Sequence, residues 1–307
     1  MRNVAKTTTL ENKFPLLAVE NNCILSKDAD ITACFEVRLP ELFTVASAEY
    51  EAIHSAWHKA IKTLPDFTVI HKQDWYIKES YAPDLAIEDQ SFLSKSYQRH
   101  FNERPFLNHY CYLFLTKTTK ERMRMQSNFS SLCKGTLIPK EIRNKETIHR
   151  FMEAVAQFER IVNDSGFVSL RRLTEEDIIG TEDTQGLLEQ YLTLSRGAGT
   201  PMQDIALGNE EVRIGNKRLS LHTLSDTDDL PGTVSADTRF EKLSTDRSDC
   251  RLSFAAPVGL LLSCNHIYNQ YIFWITAKTT CKSLRSLQGI CTHWQGTVVP
   301  TKSIKSG

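Results

Sequence analysis

Two histidines at helical spacing are the first residues whose positions suggest chemistry. His54 and His58 lie four residues apart, so a helix would carry both on one face, where they could bind a metal ion. The residues between them are Ser-Ala-Trp and lack the glutamate that acts as general base in zinc proteases. A solvated helix face is therefore the better interpretation.

Other metal-binding patterns are also incomplete. Asp226, Asp228 and Asp229 resemble the start of a calcium loop, but Pro231 stands where the turn needs glycine, and no bidentate glutamate follows at the right distance. The 8 cysteines are scattered without a Cys-x-x-Cys pair, as is usual for buried thiols in a reducing compartment. We expect no metal site and a cytoplasmic chain.

No phosphate-binding loop is present in the sequence. Gly208 and Gly215 have the wrong spacing for such a loop, and Arg218 follows Lys217 where a hydroxyl residue is required. We therefore expect no ATP binding by this route, no cofactor and no enzymatic activity of the chain by itself.

A basic run in the middle of the chain is a candidate contact for nucleic acid or for a membrane surface. It comprises Lys117, Lys120, Arg122 and Arg124, whose charges could meet phosphate groups. A solvated linker is the favoured interpretation of the same residues.

The alternative to a binding function is that the chain is a stand-alone enzyme. Its active site would then assemble from residues that are dispersed in the sequence, namely His54, His58, His109 and Glu79.

The hydrophobic pattern predicts the elements that would position these side chains. Residues 31–39 alternate apolar and polar side chains, as a half-buried strand does, and Asn21 and Asn22 suit a hairpin turn. A helix should follow over 50–61, with Ser47 as its N-cap. The order β-β-α-β-α-β predicts an α+β fold with helices packed on mostly antiparallel sheets, ferredoxin-like in arrangement.

The second half of the chain carries further periodic segments. Thr181 is the expected N-cap of a helix, and Gly215 with Asn216 predicts a hairpin. A preceding helix should bury one apolar face, formed by Ile148, Phe151, Met152, Val155, Phe158 and Val162.

The charge distribution divides the chain, although 37 basic and 37 acidic residues balance overall. Residues 250–307 contain six basic residues and no acidic ones, so the preceding part has a net charge of −6. We expect an N-terminal α+β domain over 10–134, a second α+β region over 139–273, and an aberrant, disordered tail over 274–307.

Several segments resemble one protein family. They are residues 13–40 (KFPLLAVENNCILSKDADITACFEVRLP), 50–57 (YEAIHSAW), 64–67, 74–76, 229–234 and 262–273 (LSCNHIYNQYIF). Together they resemble the N-terminal region of the TraG family of Bacteroidetes conjugative-transposon ATPases, which belong to type IV secretion systems.

The resemblance implies a role in conjugative DNA transfer. Members of that family are cytoplasmic ATPases at the inner face of the membrane, with an N-terminal docking region and a C-terminal motor. The present chain would supply only the docking region, truncated before the nucleotide-binding domain. The implied partners are other proteins of the conjugation apparatus, and no small-molecule substrate is expected. The resemblance also allows a homo-oligomer and peripheral association with the inner membrane, and it does not decide either.

The likeness stops after Phe273, where the acid-free tail begins. When the residues from Trp274 onward are translated back into codons, some of the permitted codon choices also encode an acidic amphipathic sequence in a shifted reading frame. We therefore interpret 274–307 as a product of a frameshift, a hypothesis that sequencing the encoding DNA would test.

Overall fold

A computed structural model describes residues 14–27, 30–40, 45–80, 91–102, 106–118, 145–193, 203–208, 211–223, 264–274 and 297–306. The strands are β1 Leu16–Glu20, β2 Cys23–Ser26, β3 Ile31–Arg38, β4 Thr68–Glu79, β5 Phe106–Lys117, β6 Ser169–Arg172, β7 Ile205–Leu207, β8 Val212–Ile214, β9 Lys217–Thr223, β10 His266–Trp274 and β11 Thr297–Ser306. The helices are α1 Ser47–Ile61, α2 Phe92–Asn102, α3 Lys145–Asp164, α4 Glu175–Ile179 and α5 Leu187–Thr193.

The strands form one sheet in the order β1-β2-β3-β5-β4-β10-β11-β9-β8-β7. All pairings between the described strands are antiparallel. One edge of β3 is shared, because β2 pairs with residues 31–33 and β6 pairs with residues 35–38. The prediction of an α+β fold with helices on a mostly antiparallel sheet is confirmed.

A ferredoxin-like unit lies at the centre of this sheet. The chain order is β3, α1, β4, α2, β5, α3, β6, and the spatial order of its strands is β6-β3-β5-β4. Strands β3 and β4 both run antiparallel to β5, so they are parallel to each other and α1 is the crossover between them. The helix α2 is an insertion where the simplest version of this fold has a hairpin.

The larger core lies between the sheet and the helices α1 and α3. Ile31, Ala33, Phe35 and Val37 of β3 all point into it, as the period-two pattern predicts. The predicted apolar face of α3 packs there too, with Phe151, Val155, Phe158 and Val162 fully buried. Elements from both sides of the predicted division at 134–139 thus share one core, while residues 134–139 themselves lie outside the described residues.

A second core lies on the opposite face of the sheet. Trp75 and Tyr112 pack there against α4 and α5, together with Cys34, Leu173 and Ile178. Among the described residues, no helix is long and apolar enough to cross a membrane.

Turn residues behave as predicted at two of the hairpins. Asn21 and Asn22 have φ values of 54° and 59°, which asparagine tolerates, and they connect β1 to β2. Gly215 has a φ of 59° in the turn between β8 and β9.

Two predicted helix caps are wrong. Ser47 is already helical, and Ala46 is the N-cap, with its backbone N–H donating to Glu49 at 2.7 Å. Thr181 starts no helix, because it closes a turn with Thr184 instead. The helix before this turn is capped by Thr174, which accepts a hydrogen bond from the Asp177 N–H.

The tail predicted to be disordered is described in part. Residues 297–306 form β11, which pairs with β10 and β9, and this differs from the disorder expected for that segment. Valine and threonine at 297–299 favour extended backbone, a preference that an argument from charge composition overlooks. Residues 275–296 and 307 lie outside the described residues.

Candidate functional site

A row of three aromatic rings crosses the sheet on the face that carries α1 and α3. Tyr76 of β4 stands in register between His109 of β5 and His266 of β10. Its ring stacks on both histidines, with centroids 4.8 Å from His109 and 4.6 Å from His266. Burial and the nearby Asp74 carboxylate raise the pKa of Tyr76 to about 12, so this phenol stays protonated at neutral pH.

A buried ion cluster occupies the neighbouring row. Asp74 is 6% exposed and accepts hydrogen bonds from Lys72 and, at 2.9 Å, from His109 Nε2. Burial alone would raise the pKa of Asp74, but the hydrogen bonds and charges of His109 and Lys72 outweigh it and lower the pKa. The pKa of Lys72 is raised despite its burial, because the charge of Asp74 and the hydrogen bond to it stabilise the ammonium.

The protonation states of this cluster suit a structural role. Burial raises the pKa of the Cys111 thiol far above neutrality, so the thiolate that a nucleophile would need does not form. Lys72 stays protonated for the reason given above, and an ammonium has no lone pair for attack. The cluster satisfies buried charges rather than presenting an activated nucleophile.

The other face of the sheet carries a neutral hydrogen-bond network. Trp75 Nε1 donates to Gln73 Oε1 at 2.9 Å, and His71 Nε2 lies 2.8 Å from Asn269 Oδ1. The His71 ring also stacks on Tyr271 at 4.1 Å. Burial lowers the pKa of His71 to about 4, although its hydrogen bond with Asn269 opposes the shift.

A polar pocket of about 300 Å³ lies where β3, β5 and β6 meet α4 and α5. Arg171 binds two carboxylates at its wall: Nε donates to Glu36 at 2.9 Å, and Nη1 donates to Asp177 at 2.9 Å. Its hydrogen bonds to Glu36 and Asp177 raise the pKa of Arg171. Partial burial opposes ionisation of Asp177, but hydrogen bonds from Thr174 and Arg171 lower its pKa.

The lining of this pocket has more negative than positive charge. Glu36, Glu176 and Asp177 face the single cation Arg171, which leaves a formal charge of −2 among the described residues. The floor is apolar and includes the buried Tyr112, Leu173 and Leu187.

One wall residue of the pocket carries an unused acceptor. Gln190 Nε2 donates to the Gln185 carbonyl at 2.7 Å. Its Oε1 is buried and has no donor among the described residues. The acceptors that a guest could reach are the lining carboxylates of Glu36, Glu176 and Asp177, which suit a guest that brings N–H groups.

The helix α2 exposes large apolar side chains. Phe92 is 85% exposed, Leu93 78% and Tyr97 62%. Phe106, at the start of the following strand, is 47% exposed at the same end of the sheet. Lys95, Arg99 and His100 are exposed on the same helix, and α2 contains no acidic residue.

The residues of the dispersed enzyme site are not brought together. His54 and His58 are exposed on α1 with their rings 6.5 Å apart, as expected for a solvated helix face. His109 belongs to the ion cluster, whereas Glu79 lies on the opposite face of the sheet and accepts from Asn108 and Tyr110. Within the described residues, no group of three or more His, Cys, Asp and Glu could hold a metal ion.

Only one residue of the predicted basic run is described. Lys117 donates to the Asp66 carbonyl, and its ammonium lies 5.6 Å from the centroid of the Phe67 ring. Lys120, Arg122 and Arg124 lie outside the described residues, so the run stays a prediction.

Sequence reasoning missed the pocket and the ion cluster. The spacing of Thr174 and Asp177 is a capping-box signal that could have located α4. No local signal could have joined Arg171 to Glu36, because that contact depends on the pairing of β6 with β3 across 135 residues.

Comparison with known proteins gives one finding. A family model described as "Domain of unknown function, B. Theta Gene description (DUF3875)" matches residues 3–55. This range includes β1, β2, β3 and the first part of α1. No curated protein matches the chain.

Proposed function

We propose that this chain is the N-terminal, non-catalytic docking module of a conjugation ATPase of the TraG type. It would contribute to conjugative DNA transfer by binding other proteins of the type IV secretion apparatus. In keeping with the resemblance, the proposed location is the cytoplasm, at the periphery of the inner membrane.

The positions of the resembling segments support this proposal. Residues 13–40 contain β1, β2 and β3, while 74–76 belong to β4 and 262–273 contain most of β10. These strands lie in one sheet, and β4 and β10 pair along their whole shared length. A protein that shares these segments would be expected to build the same core.

The observation that carries the docking role is the exposed apolar surface of α2, which we define as Phe92, Leu93 and Tyr97. Single exposed apolar residues are common on soluble proteins, but adjacent large ones mark binding surfaces. Burying such a side chain contributes roughly 1.5–3 kcal/mol, so the three could supply much of the energy of a specific contact. Leu93 and Tyr97 are four residues apart, which is a spacing that an amphipathic helix uses for its anchors in a partner's groove.

A pull-down against each protein of the same conjugation operon tests the docking role. The wild-type chain should retain at least one of them, and Phe92→Ser/Leu93→Ser/Tyr97→Ser should weaken that retention by roughly tenfold or more, because central apolar anchors dominate interface energy.

The matched control is Leu17→Ser/Leu207→Ser, which removes apolar side chains that are also exposed but lie on β1 and β7. This variant should bind like the wild type. Equal binding by the α2 variant, or failure of every operon protein to bind the wild type, would contradict the proposal.

A further inference from the structure

The basic edge of α2, defined as Lys95 and Arg99, lies beside its apolar surface. The two residues are four apart and exposed, so they stand next to each other on one side of the helix. Phe92 falls between this edge and Leu93 around the helix circumference, at 3.6 residues per turn. One strip of α2 therefore presents two cations and an aromatic ring together.

The pocket between β3 and α4 offers the complementary chemistry. Its surplus charge of −2 favours a cationic guest that carries N–H donors. Its apolar floor can contact the methylene stem of a lysine or arginine while the head group meets the carboxylates. Ile179, which follows these acids on α4, is 49% exposed and gives an apolar neighbour for a ring such as that of Phe92.

We propose that the pocket of one copy of this chain binds the basic edge of α2 of a second copy. The inference goes beyond the proposed docking role, because its partner is a second copy of this chain and not another protein of the secretion apparatus. Lys95 and Arg99 would approach Glu176 and the outer side of Glu36 and Asp177, without displacing Arg171. Charge complementarity selects this occupant, because α2 contains no acid and the pocket carries more acids than bases.

The geometry of the sheet favours a second copy over the same chain. Tyr112 at the pocket floor is six residues along β5 from Phe106, the first residue of the strand after α2. At about 3.4 Å per residue, this separation is roughly 20 Å along one strand. Within one chain, α2 stays at its own end of the sheet with its basic edge exposed.

Charge reversal in the purified full chain tests the inference. Sedimentation velocity should show self-association of the wild type at about 50 mM salt that weakens at about 500 mM, where exposed charges are screened. Lys95→Glu/Arg99→Glu and, separately, Glu176→Lys should each raise the dissociation constant by roughly tenfold or more. An equimolar mixture of these two variants should restore the contact, because the unchanged acidic pocket of the α2 variant can bind the unchanged basic edge of the Glu176→Lys variant.

Two further variants separate binding from folding. Glu176→Gln removes the charge without reversing it and should weaken self-association less than Glu176→Lys does. Lys59→Glu mixed with Glu182→Lys is the matched control, since both positions are exposed and neither lines the pocket, and it should behave like the wild type. A thermal melt of each variant checks that it is folded.

Three results would overturn the inference: a wild type that is monomeric at both salt concentrations, charge reversal without effect, or a mixture that fails to restore the complex. If the basic edge instead retains an operon protein or an anionic vesicle on a monomeric chain, the occupant is different and the inference is wrong. A wild type that binds an operon protein but does not self-associate overturns this inference alone. A wild type that self-associates but binds no operon protein overturns only the docking role toward operon proteins.

Discussion

His71 is the residue whose burial has the clearest measurable consequence. Its folded pKa is about 4, against an ordinary value of 6.5, so below pH 6.5 the unfolded chain binds a proton that the folded chain does not. The contribution of His71 to stability is therefore complete above pH 6.5 and is lost as the pH falls toward 4.

We expect the free energy of unfolding to fall by up to about 3 kcal/mol over this range, since each pKa unit corresponds to about 1.4 kcal/mol. Urea unfolding at several pH values measures it. His71→Gln, which keeps an amide near Asn269, should flatten the dependence between pH 6.5 and 4. Asp74 has a lowered pKa and should add a further loss only below its ordinary pKa of 3.8. An unchanged slope in His71→Gln would assign the loss to other groups.

At the residue scale, the sequence predicts burial better than contacts. The alternation at Ile31, Ala33 and Phe35 correctly predicts which side chains enter the core. The approach of His109 to Asp74 could not be predicted, because it depends on the register of β4 against β5. A slip of one residue would have moved them to opposite faces of the sheet.

At the scale of elements, the turn between α4 and α5 depends on two glycines, Gly180 and Gly186, and Gly186 makes the closer approach. A Cβ on Gly186 would lie 2.2 Å from the Ile179 carbonyl carbon and 2.3 Å from the Gly180 nitrogen. Both are backbone atoms that cannot move aside without shifting α4. Gly186→Ala should therefore lower the free energy of unfolding by about 1–3 kcal/mol, as overpacking does.

The comparison for this variant is Gly166→Ala, where a Cβ would meet nothing within 4 Å. That substitution reports only the cost of a φ of 76°, about 1 kcal/mol. Urea unfolding of both variants measures the difference. If Gly186→Ala is as stable as the wild type, the close approach at Gly180 is not a constraint.

Element prediction succeeds where a long periodic pattern exists and fails at short elements. The helix α3 has five turns of apolar spacing, and this pattern correctly predicts its buried face. The helix α4 has only five residues, and Thr181 looked like a cap because threonine before acidic residues occurs in turns as well as at helix starts.

At the scale of the whole molecule, β10 should decide whether the chain folds. It pairs along its length with β4, its Ile267 is buried, and Trp274 Nε1 donates to the Leu64 carbonyl at 3.0 Å. Every residue of the two cores that the structure describes precedes residue 275.

A chain that ends after Trp274 should therefore unfold cooperatively, with a thermal midpoint within a few degrees of the full chain. A chain that ends after Ser263 lacks β10 and should show no cooperative transition, because burial of each large side chain supplies roughly 1.5–3 kcal/mol of a total of about 5–15 kcal/mol. Circular dichroism melts compare the two. Cooperative unfolding of the shorter chain would mean that β10 is dispensable.

The pairing of β4 with β10 has a consequence for synthesis on the ribosome. Lys78 and Asn265, which meet through a hydrogen bond, are 187 residues apart in the chain. At roughly 5–20 residues per second, β4 emerges about 10–40 seconds before the strand that covers its outer edge. During that interval the edge of β4 has unpaired backbone donors and acceptors. This edge can pair with a neighbouring nascent chain unless a chaperone covers it.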